Sequence, residues 1–386
     1  MAIPKRWDQA AHAEWEAKRP NHALDRLMGL LNAVPNPPVD LALQAAYYLF
    51  LLSAYDPARH ILETAAKANP DHLQLLLNLA VLQSRTRADV EARKTLEHYV
   101  ELGGNDVAAF DGLCTACHRT GDDESARSWG RRAIEEKTRL AEASAAPLKL
   151  GKPRRAGRSV VAFSLWGDNP RYLRGALHNA MRAPMVYPGF TCRFYLDRSV
   201  PADLGAALEQ LGSEIVMDDG EPSTRHRLTR RFLVADDPAV ATYLVRDCDS
   251  LINVREAAAV GLWLDSDKSF HVMRDWWTHT DPILAGMWGG RGGVLPPLAP
   301  LLDGYKSGRM ETPHWDQWFL RDRVWPSVRP HALVHDRLFA TDGSLPFPGR
   351  EPPGNLHVGQ DEYAVRRGPQ AAELAPFAAR VPSLGL

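Results

Sequence analysis

The chain has 386 residues, which is enough for about two domains, and a formal net charge of -1 from 46 basic and 47 acidic residues. This balance excludes the strongly basic class of nucleic-acid-binding proteins, so we expect no nucleic-acid partner. Four cysteines are too few for a disulfide framework. The chain begins without a secretory signal and holds no apolar run long enough for a transmembrane segment, so we expect a cytoplasmic protein.

Residues 1–145 are rich in Ala, Leu, Glu and Arg, and they predict a domain made of helices. Short motifs recur in this region at intervals of 34 or 35 residues, and two helices per unit of that length are typical of tetratricopeptide arrays. The segment 22–140 resembles about three such repeats, although a generic helical bundle is the alternative. The recurring motifs are Ala58–Arg59, Ala92–Arg93 and Ala126–Arg127, and the turn pairs Pro35–Asn36, Pro70–Asp71 and Asn105–Asp106.

A repeat array presents a concave face that suits an extended peptide, so we expect a protein or peptide partner on residues 1–145. Within this region, Cys114, Cys117 and His118 have the spacing of a c-type haem attachment motif. We interpret these residues as core packing of a repeat helix, because the chain shows no export signal.

Residues 146–157 have the composition of a linker, with glycine, proline and a basic cluster. From residue 158 to residue 386 the pattern changes to strands alternating with helices, followed by a proline-rich tail from Leu345. This alternation predicts an α/β domain with a largely parallel sheet. The predicted strands are 159–165, 191–196, 214–217, 243–245 and 270–273, and the predicted helices are 170–181, 202–211, 225–233 and 315–320.

Asp247 and Asp249 lie just after the predicted strand Tyr243–Val245, at the edge of the sheet where α/β proteins bind ligands. Side chains alternate along an extended chain, so both carboxylates should face one side and Cys248 the other. Two such carboxylates can hold Mn²⁺ or Mg²⁺ together with a substrate diphosphate. The alternative is that the two aspartates only end a strand and begin a turn.

The order of elements in residues 158–360, with the motif Arg246-Asp247-Cys248-Asp249-Ser250, resembles a glycosyltransferase of the GT-A fold. In that family the Asp-x-Asp motif binds the metal and the diphosphate of the donor. The resemblance implies a nucleotide-diphosphate sugar as donor. The expected fold class is therefore an α/β nucleotide-diphospho-sugar transferase-like domain preceded by an all-α tetratricopeptide-like domain.

Other residues extend the predicted donor site. Ser164 at the carboxyl end of the first strand and Trp166 in the loop after it are candidates for holding the nucleoside. Arg231, on the predicted helix before the strand Tyr243–Val245, either counters phosphate charge or forms a surface ion pair. GT-A enzymes often complete the metal shell with a late histidine, and His357 is the candidate by location. An exposed loop histidine is the alternative for His357.

Asp275 and Asp316 are the predicted catalytic acid or base residues, with Glu311 and His279 as further candidates. Asp275 is favoured because it directly follows a strand and would be held rigidly. The glycine-rich stretch 286–293 is predicted to be a loop that borders the acceptor. Arg274 and Arg291 are further candidates for countering phosphate charge, with surface ion pairing as the alternative.

Together these observations predict a metal-dependent glycosyltransferase that moves a sugar to an acceptor, possibly a protein recruited by the repeats. The alternative is a non-catalytic repeat scaffold with a degenerate nucleotide-sugar-binding domain. The donor sugar, the acceptor and the stereochemistry do not follow from the sequence.

Overall fold

The computed structural model describes residues 4, 6–218, 220, 223–307, 314–360 and 369–385, with only the backbone for 369–371. The chain divides into two compact units, Met1–Ala133 and Ile134–Leu386. Residues 145–157 contain neither helix nor strand. No helix in the described part of the chain is long and apolar enough to cross a membrane.

The described part of the first unit is built from helices. The first members of three successive helix pairs begin at Val39, Leu73 and Val107, and the second members begin at Tyr55, Asp89 and Asp123. Both series have the predicted spacing of 34 residues. The helices are α1 (Gln9–Glu16), α2 (Pro20–Asn32), α3 (Val39–Leu51), α4 (Tyr55–Ala68), α5 (Leu73–Arg85), α6 (Asp89–Glu101), α7 (Val107–Arg119) and α8 (Asp123–Ser144), the last of which continues past the unit boundary at Ala133.

The recurring alanines lie where helices pack closely, and such positions require a small side chain. Ala58, Ala92 and Ala126 are all buried. The turn within each helix pair contains one residue with positive φ, and these residues also lie 34 apart: Ser53 at 59°, Arg87 at 62° and Gly121 at 85°. The prediction of helical repeats is therefore confirmed. Cys114 and Cys117 are both buried in α7, as the core-packing interpretation predicted.

The described part of the second unit contains a seven-stranded sheet of order β3-β2-β1-β4-β6-β5-β7. One strand, β6, runs antiparallel to both of its neighbours, and the other pairs are parallel. The prediction of a largely parallel α/β sheet is confirmed. The strands are β1 (Arg158–Leu165), β2 (Phe190–Leu196), β3 (Glu214–Met217), β4 (Val240–Arg246), β5 (Phe270–Arg274), β6 (Met287–Arg291) and β7 (Ala332–Asp336).

Helices connect these strands. Asn169 caps the first of them by accepting a hydrogen bond from the Arg171 N–H at 3.0 Å, and Pro170 takes the first helical position. The helices are α9 (Pro170–Val186), α10 (Ala202–Gln210), α11 (Thr224–Thr229), α12 (Val254–Leu264), α13 (Leu298–Gly304), α14 (Trp315–Phe319) and α15 (Trp325–Val328). The 3₁₀ segments are Arg230–Ala235, Arg329–His331, Pro369–Phe377 and Pro382–Leu384, and Leu320–Val324 is a π-helical turn.

The glycine-rich stretch 286–293 is not the predicted acceptor loop, because it contains β6. Its glycines are needed for close contact with β4. A Cβ on Gly289 would lie 2.6 Å from the Tyr243 carbonyl oxygen, and one on Gly290 would lie 2.5 Å from the Tyr243 hydroxyl. The glycine signal therefore reports tight strand packing in the centre of the sheet.

The sheet has an apolar core on each face. Val160 and Ala162 of β1 point into one core, and Val161 and Phe163 point into the other, as alternation along a strand requires. The chain leaves β1 for β2 on one side and later returns to β4 on the other side. The carboxyl ends of β1 and β4 therefore meet at a switch point, where open α/β sheets form a ligand-binding crevice.

Candidate active site at the ends of β1 and β4

A cavity of about 550 Å³ lies at this switch point. The five residues predicted to hold the donor all border it: Ser164, Trp166, Arg231, Asp247 and Asp249. They come from three separate segments of the chain: β1 with its following loop, the helical segment before β4, and the turn after β4. The fold therefore brings together the donor-site residues that the sequence suggested.

The acidic pair lies on a turn. The chain leaves β4 at Arg246, and the Ser250 N–H donates to the Asp247 carbonyl oxygen at 3.2 Å. Both carboxylates nevertheless border the cavity, while Cys248 between them is buried and its thiol donates to the Ser164 carbonyl oxygen at 3.3 Å. Burial raises the pKa of the Cys248 thiol well above its usual range. The backbone thus forms a turn, as the alternative interpretation predicted, and both carboxylates border the cavity.

Arg231 is the buried cation of the cavity wall. Its backbone N–H donates to the Ser164 hydroxyl at 2.9 Å. Its guanidinium group joins two carboxylates, pairing with Asp247 through Nη1 and with Asp316 through Nη2 at 3.0 Å. Its Nε has no hydrogen-bond partner among the described residues. A buried donor of this kind is costly unless a ligand or water accepts from it.

Asp316, at the start of α14, is buried behind Arg231 and does not border the cavity. Burial raises the pKa of its carboxyl to about 6, against the opposing effect of the Arg231 charge. The nearby Asp247 charge raises the pKa further. Asp316 therefore titrates close to neutral pH, and it acts on the cavity through Arg231.

Asp249 is paired with a residue that sequence reasoning missed. The Arg171 Nη2, in the first turn of α9, lies 2.5 Å from Asp249 Oδ2. The next residue, Tyr172, borders the cavity together with Trp166. The cavity therefore combines two aromatic side chains with an acidic edge. Neither Arg171 nor Tyr172 belongs to a recognisable motif, and only the fold identifies them.

Gly286, just before β6, makes room for the Asp247 carboxylate. A Cβ at residue 286 would lie 1.9 Å from Asp247 Oδ2, so any side chain there would displace the carboxylate. The sequence marked Gly286 as part of a loop. In the structure, Gly286 lies directly beside the turn that carries Asp247 and Asp249.

No group of three or more His, Cys, Asp or Glu side chains that could hold a metal ion is present among the described residues. His357 therefore does not complete a three-residue set with Asp247 and Asp249. Its ring stacks on Trp276, with centroids 4.4 Å apart, and its Nδ1 lies 2.7 Å from the Asn355 carbonyl oxygen. These contacts place His357 in a loop packing role.

The charged side chains at the cavity are compatible with a divalent cation that binds together with a diphosphate ligand. When all three are ionised, Asp247, Asp249 and Asp316 outweigh Arg171 and Arg231 by one negative charge. A diphosphate alone would be repelled by this cluster. Mg²⁺ and similar ions are commonly bound by one or two carboxylates plus substrate phosphates, and two carboxylates border this cavity. The residues thus fit a divalent cation shared with a diphosphate.

Asp275 lies elsewhere and is fully buried. Its carboxylate accepts a hydrogen bond from the Val358 N–H at 2.7 Å and lies 3.3 Å from the Arg255 Nε and 3.8 Å from the Arg337 Nη1. Burial raises the pKa of this carboxyl, and its partners oppose the shift. The structure does not bring Asp275 to the cavity. Asp275 instead holds the backbone of Val358 against the sheet.

Three other predicted residues, His279, Arg274 and Arg291, are also absent from the described lining of the cavity. His279 is buried, which lowers its pKa to about 3, and its Nδ1 accepts from the Asp275 N–H at 3.0 Å. Arg274 pairs with Asp336 at 2.9 Å inside the core. Arg291 stacks over Trp263, 4.9 Å from the ring centroid. Glu311 lies outside the described residues.

Comparison with known families matches residues 49–128 to the tetratricopeptide repeat model. A comparison with curated protein sequences found no match.

Among solved structures, "MamA MSR-1 C2" is similar at 18% identity and a TM-score of 0.31, covering 34% of this chain and 74% of that one. A mutant O-GlcNAc transferase from Thermobaculum terrenum is similar at 17% identity and a TM-score of 0.37, covering 61% of this chain and 44% of that one. MamA from Desulfovibrio magneticus RS-1 is similar at 17% identity and a TM-score of 0.31, covering 35% and 77%. Scores this low do not establish a shared fold, so they carry no argument about the α/β unit.

Proposed function

We propose that the second unit is a GT-A-type glycosyltransferase that moves a sugar from a nucleotide-diphosphate donor to an acceptor, with Mn²⁺ or Mg²⁺ as cofactor. One observation carries this proposal. The cavity at the switch point of the sheet is bordered by an acidic pair, a buried arginine and two aromatic side chains. Carboxylates for a cation, a donor for phosphate and flat surfaces for a nucleoside are the groups that such a donor needs.

Each group has a role in this proposal. Asp247 and Asp249 would hold the cation, which supplies positive charge to the diphosphate as it leaves. The Nε of Arg231, which no described residue accepts from, would donate to the same diphosphate oxygens. Trp166 and Tyr172 border the cavity and offer stacking surfaces to the nucleoside. In the transfer, the bond between the sugar carbon and the diphosphate oxygen breaks, the acceptor oxygen forms a bond to that carbon, and the proton of the acceptor hydroxyl passes to the departing diphosphate.

Asp316 serves this site as a positioning residue. It holds the second nitrogen of the Arg231 guanidinium at 3.0 Å, which fixes the plane of that group beside Asp247. It does not border the cavity, so we assign it no direct contact with substrate. Asp275 takes no part in the proposed reaction, because it is fully buried by its own partners.

We further propose that the repeat unit binds a protein or peptide, which serves as acceptor or brings the acceptor. The family match to tetratricopeptide repeats supports this role. One face of α5 is exposed and provides a polar and apolar surface for such a chain. Its residues are Gln74, Asn78, Val81 and Arg85.

A purely binding α/β unit is the second candidate function. It is favoured by the ion pairs that already engage both aspartates, Asp247 with Arg231 and Asp249 with Arg171. An enzyme must break or share these pairs when its ligand enters. A binding module that stores a nucleotide sugar could keep them in part.

Nucleotide release separates the two functions. The protein is incubated with Mn²⁺ and a panel of UDP-, GDP-, ADP- and dTDP-sugars, and free nucleoside diphosphate is measured by chromatography. Release that depends on Mn²⁺ and disappears in Asp249→Ala supports the transferase. Saturable, Mn²⁺-dependent binding without release in the presence of acceptors supports the binding module. The absence of both binding and release would reject the proposed donor site.

A further inference from the structure

One face of helix α9 lies against the acidic turn, residues 247–250. Arg171, Gly175 and Asn179 are spaced four residues apart, so they share this face along two turns of helix. Each of the three contacts the turn in a different way. None of them belongs to the donor site predicted from the sequence.

Asn179 holds the backbone of the turn and of the residues after it. Its side chain is fully buried. Its Nδ2 donates to the Ser250 carbonyl oxygen at 3.0 Å and to the Cys248 carbonyl oxygen at 3.3 Å. Its Oδ1 accepts from the Ile252 N–H at 2.9 Å. One amide group therefore satisfies three backbone groups of a segment that has left the sheet.

Gly175 brings the helix into direct contact with the turn. A Cβ at this position would lie 2.1 Å from the Cys248 carbonyl oxygen and 3.0 Å from Asp249 Cα. These distances are too short for any side chain, so a substitution would push the turn away from the helix. The backbone of Asp249 is thus placed by the surface of α9.

Arg171 acts on the carboxylate itself, because its Nη2 lies 2.5 Å from Asp249 Oδ2. The backbone position and the side-chain direction of Asp249 are therefore both set by the same helix. Asn179 and Gly175 place the backbone, and Arg171 orients the carboxylate. A cation shared with a diphosphate needs carboxylate oxygens placed to within a fraction of an ångström.

We propose that Asn179, Gly175 and Arg171 are positioning residues that hold the acidic turn in the geometry that binds a cation and a diphosphate. The ligand in this inference rests on the proposed function, whereas the placement of the turn rests on the contacts of α9 alone. The two parts can therefore be tested separately.

The test uses the full chain and four variants. Asn179→Leu removes three hydrogen bonds in a similar volume, Gly175→Ala displaces the turn, and Arg171→Gln removes one ion pair from a partly exposed residue. Arg182→Gln is the matched control, because Arg182 also lies on α9 but pairs with Glu373, away from the turn. Calorimetry measures the affinity for UDP, GDP, ADP and CDP with and without Mn²⁺.

A second measurement needs no ligand. The native protein is treated with iodoacetamide, and mass spectrometry follows the alkylation of Cys248 against that of Cys192. Both thiols are buried, but only Cys248 lies in the turn. Loosening of the turn exposes Cys248 alone, whereas general loss of structure exposes both.

We expect Asn179→Leu and Gly175→Ala to weaken Mn²⁺-dependent nucleotide binding about 10-fold or more, with Cys248 alkylated faster than Cys192. Arg171→Gln should weaken binding about 3-fold to 10-fold without exposing Cys248, and Arg182→Gln should change neither. Unchanged affinity in Arg171→Gln and in whichever α9 variants fold would overturn the inference. Should the wild-type protein bind no nucleoside diphosphate, the proposed function fails, and equal alkylation of Cys248 and Cys192 in the variants would then overturn this inference separately.

Discussion

Two strands of the sheet end in the same dipeptide, Arg-Asp, with opposite consequences. β4 ends in Arg246 followed by Asp247, and β5 ends in Arg274 followed by Asp275. Both arginines are buried in ion pairs, Arg246 with Glu256 at 3.0 Å and Arg274 with Asp336 at 2.9 Å. The aspartates differ. The side chain of Asp247 is 41% exposed at the cavity, whereas that of Asp275 is 0% exposed.

The difference comes from what covers each strand end. Asp247 opens onto the crevice between the ends of β1 and β4, where the chain direction switches. Asp275 is covered by residue 358, whose N–H it accepts, and by Arg255 and Arg337. A strand that ends in an acidic residue is therefore only a candidate site. Its position in the sheet and the later chain that packs on it decide whether the carboxylate meets a ligand.

The largest expected effect is at the open strand end. Asp247→Asn and Asp249→Asn each remove a proposed cation ligand while keeping the size of the side chain. We expect Mn²⁺-dependent release of nucleotide from a sugar donor to fall about 100-fold or more, which corresponds to roughly 3 kcal/mol. Circular dichroism and the melting temperature serve as fold controls. Near wild-type rates in both folded variants would refute the role of the acidic pair.

The second effect is at the covered strand end and changes stability instead of binding. Asp275→Asn leaves Arg255 and Arg337 without their shared carboxylate. We expect the free energy of unfolding to fall by about 2–3 kcal/mol, the usual cost of losing hydrogen bonds to a charged group. Denaturant titration measures this loss, and calorimetry below the melting transition should find unchanged Mn²⁺-dependent nucleotide affinity. A large loss of nucleotide affinity with an unchanged free energy of unfolding would show that Asp275 acts in the nucleotide site.

A smaller effect is expected at Gly286, because there is no space for a side chain between this residue and the Asp247 carboxylate. Gly286→Ala places a methyl group at the position of the Asp247 carboxylate, at a distance of 1.9 Å from Oδ2. The carboxylate must move, so we expect about 10-fold weaker Mn²⁺-dependent nucleotide binding. Gly261→Ala is the matched control, because a Cβ there meets no atom within 4 Å. Equal affinities in the two variants would show that Asp247 does not need its present position.

The smallest expected effect is a pH dependence from Asp316. Its pKa is raised from 3.8 to about 6 in the folded protein, so the folded state keeps a proton that the unfolded state has lost. Stability from this group is present below about pH 4 and is lost as the pH rises through about 6. Denaturant midpoints between pH 4 and 7 should fall more steeply in the wild type than in Asp316→Asn. Parallel curves for the two proteins would contradict the raised pKa.

Much of the architecture follows from sequence periodicity. The 34-residue interval predicted the helix pairs because Ala58, Ala92 and Ala126 lie where helices touch. The predicted helix 170–181 begins at the same residue as α9, because the cap at Asn169 is a local interaction. Local signals of this kind depend only on neighbouring residues. They predicted most of the strands that precede Asp247 and Asp249 in the chain.

The remaining features depend on contacts between distant parts of the chain. Gly289 and Gly290 had the composition of a loop, and only pairing with β4 makes them a strand. Asn179 is an unremarkable helix residue until residues 248–252 fold onto it. Asp275 is covered by a residue 83 positions later in the chain. No local pattern contains this information, so the positioning residues could not be found from the sequence.

The most direct test of the central claim is calorimetric titration of UDP and GDP into the wild-type protein and Asp249→Asn, each with and without Mn²⁺. The account predicts that one nucleoside diphosphate binds at the ends of β1 and β4 only when Mn²⁺ is present, and that Asp249→Asn abolishes this binding. Equal affinity with and without Mn²⁺, or unchanged affinity in Asp249→Asn, would contradict the claim that the acidic turn holds a cation and a diphosphate.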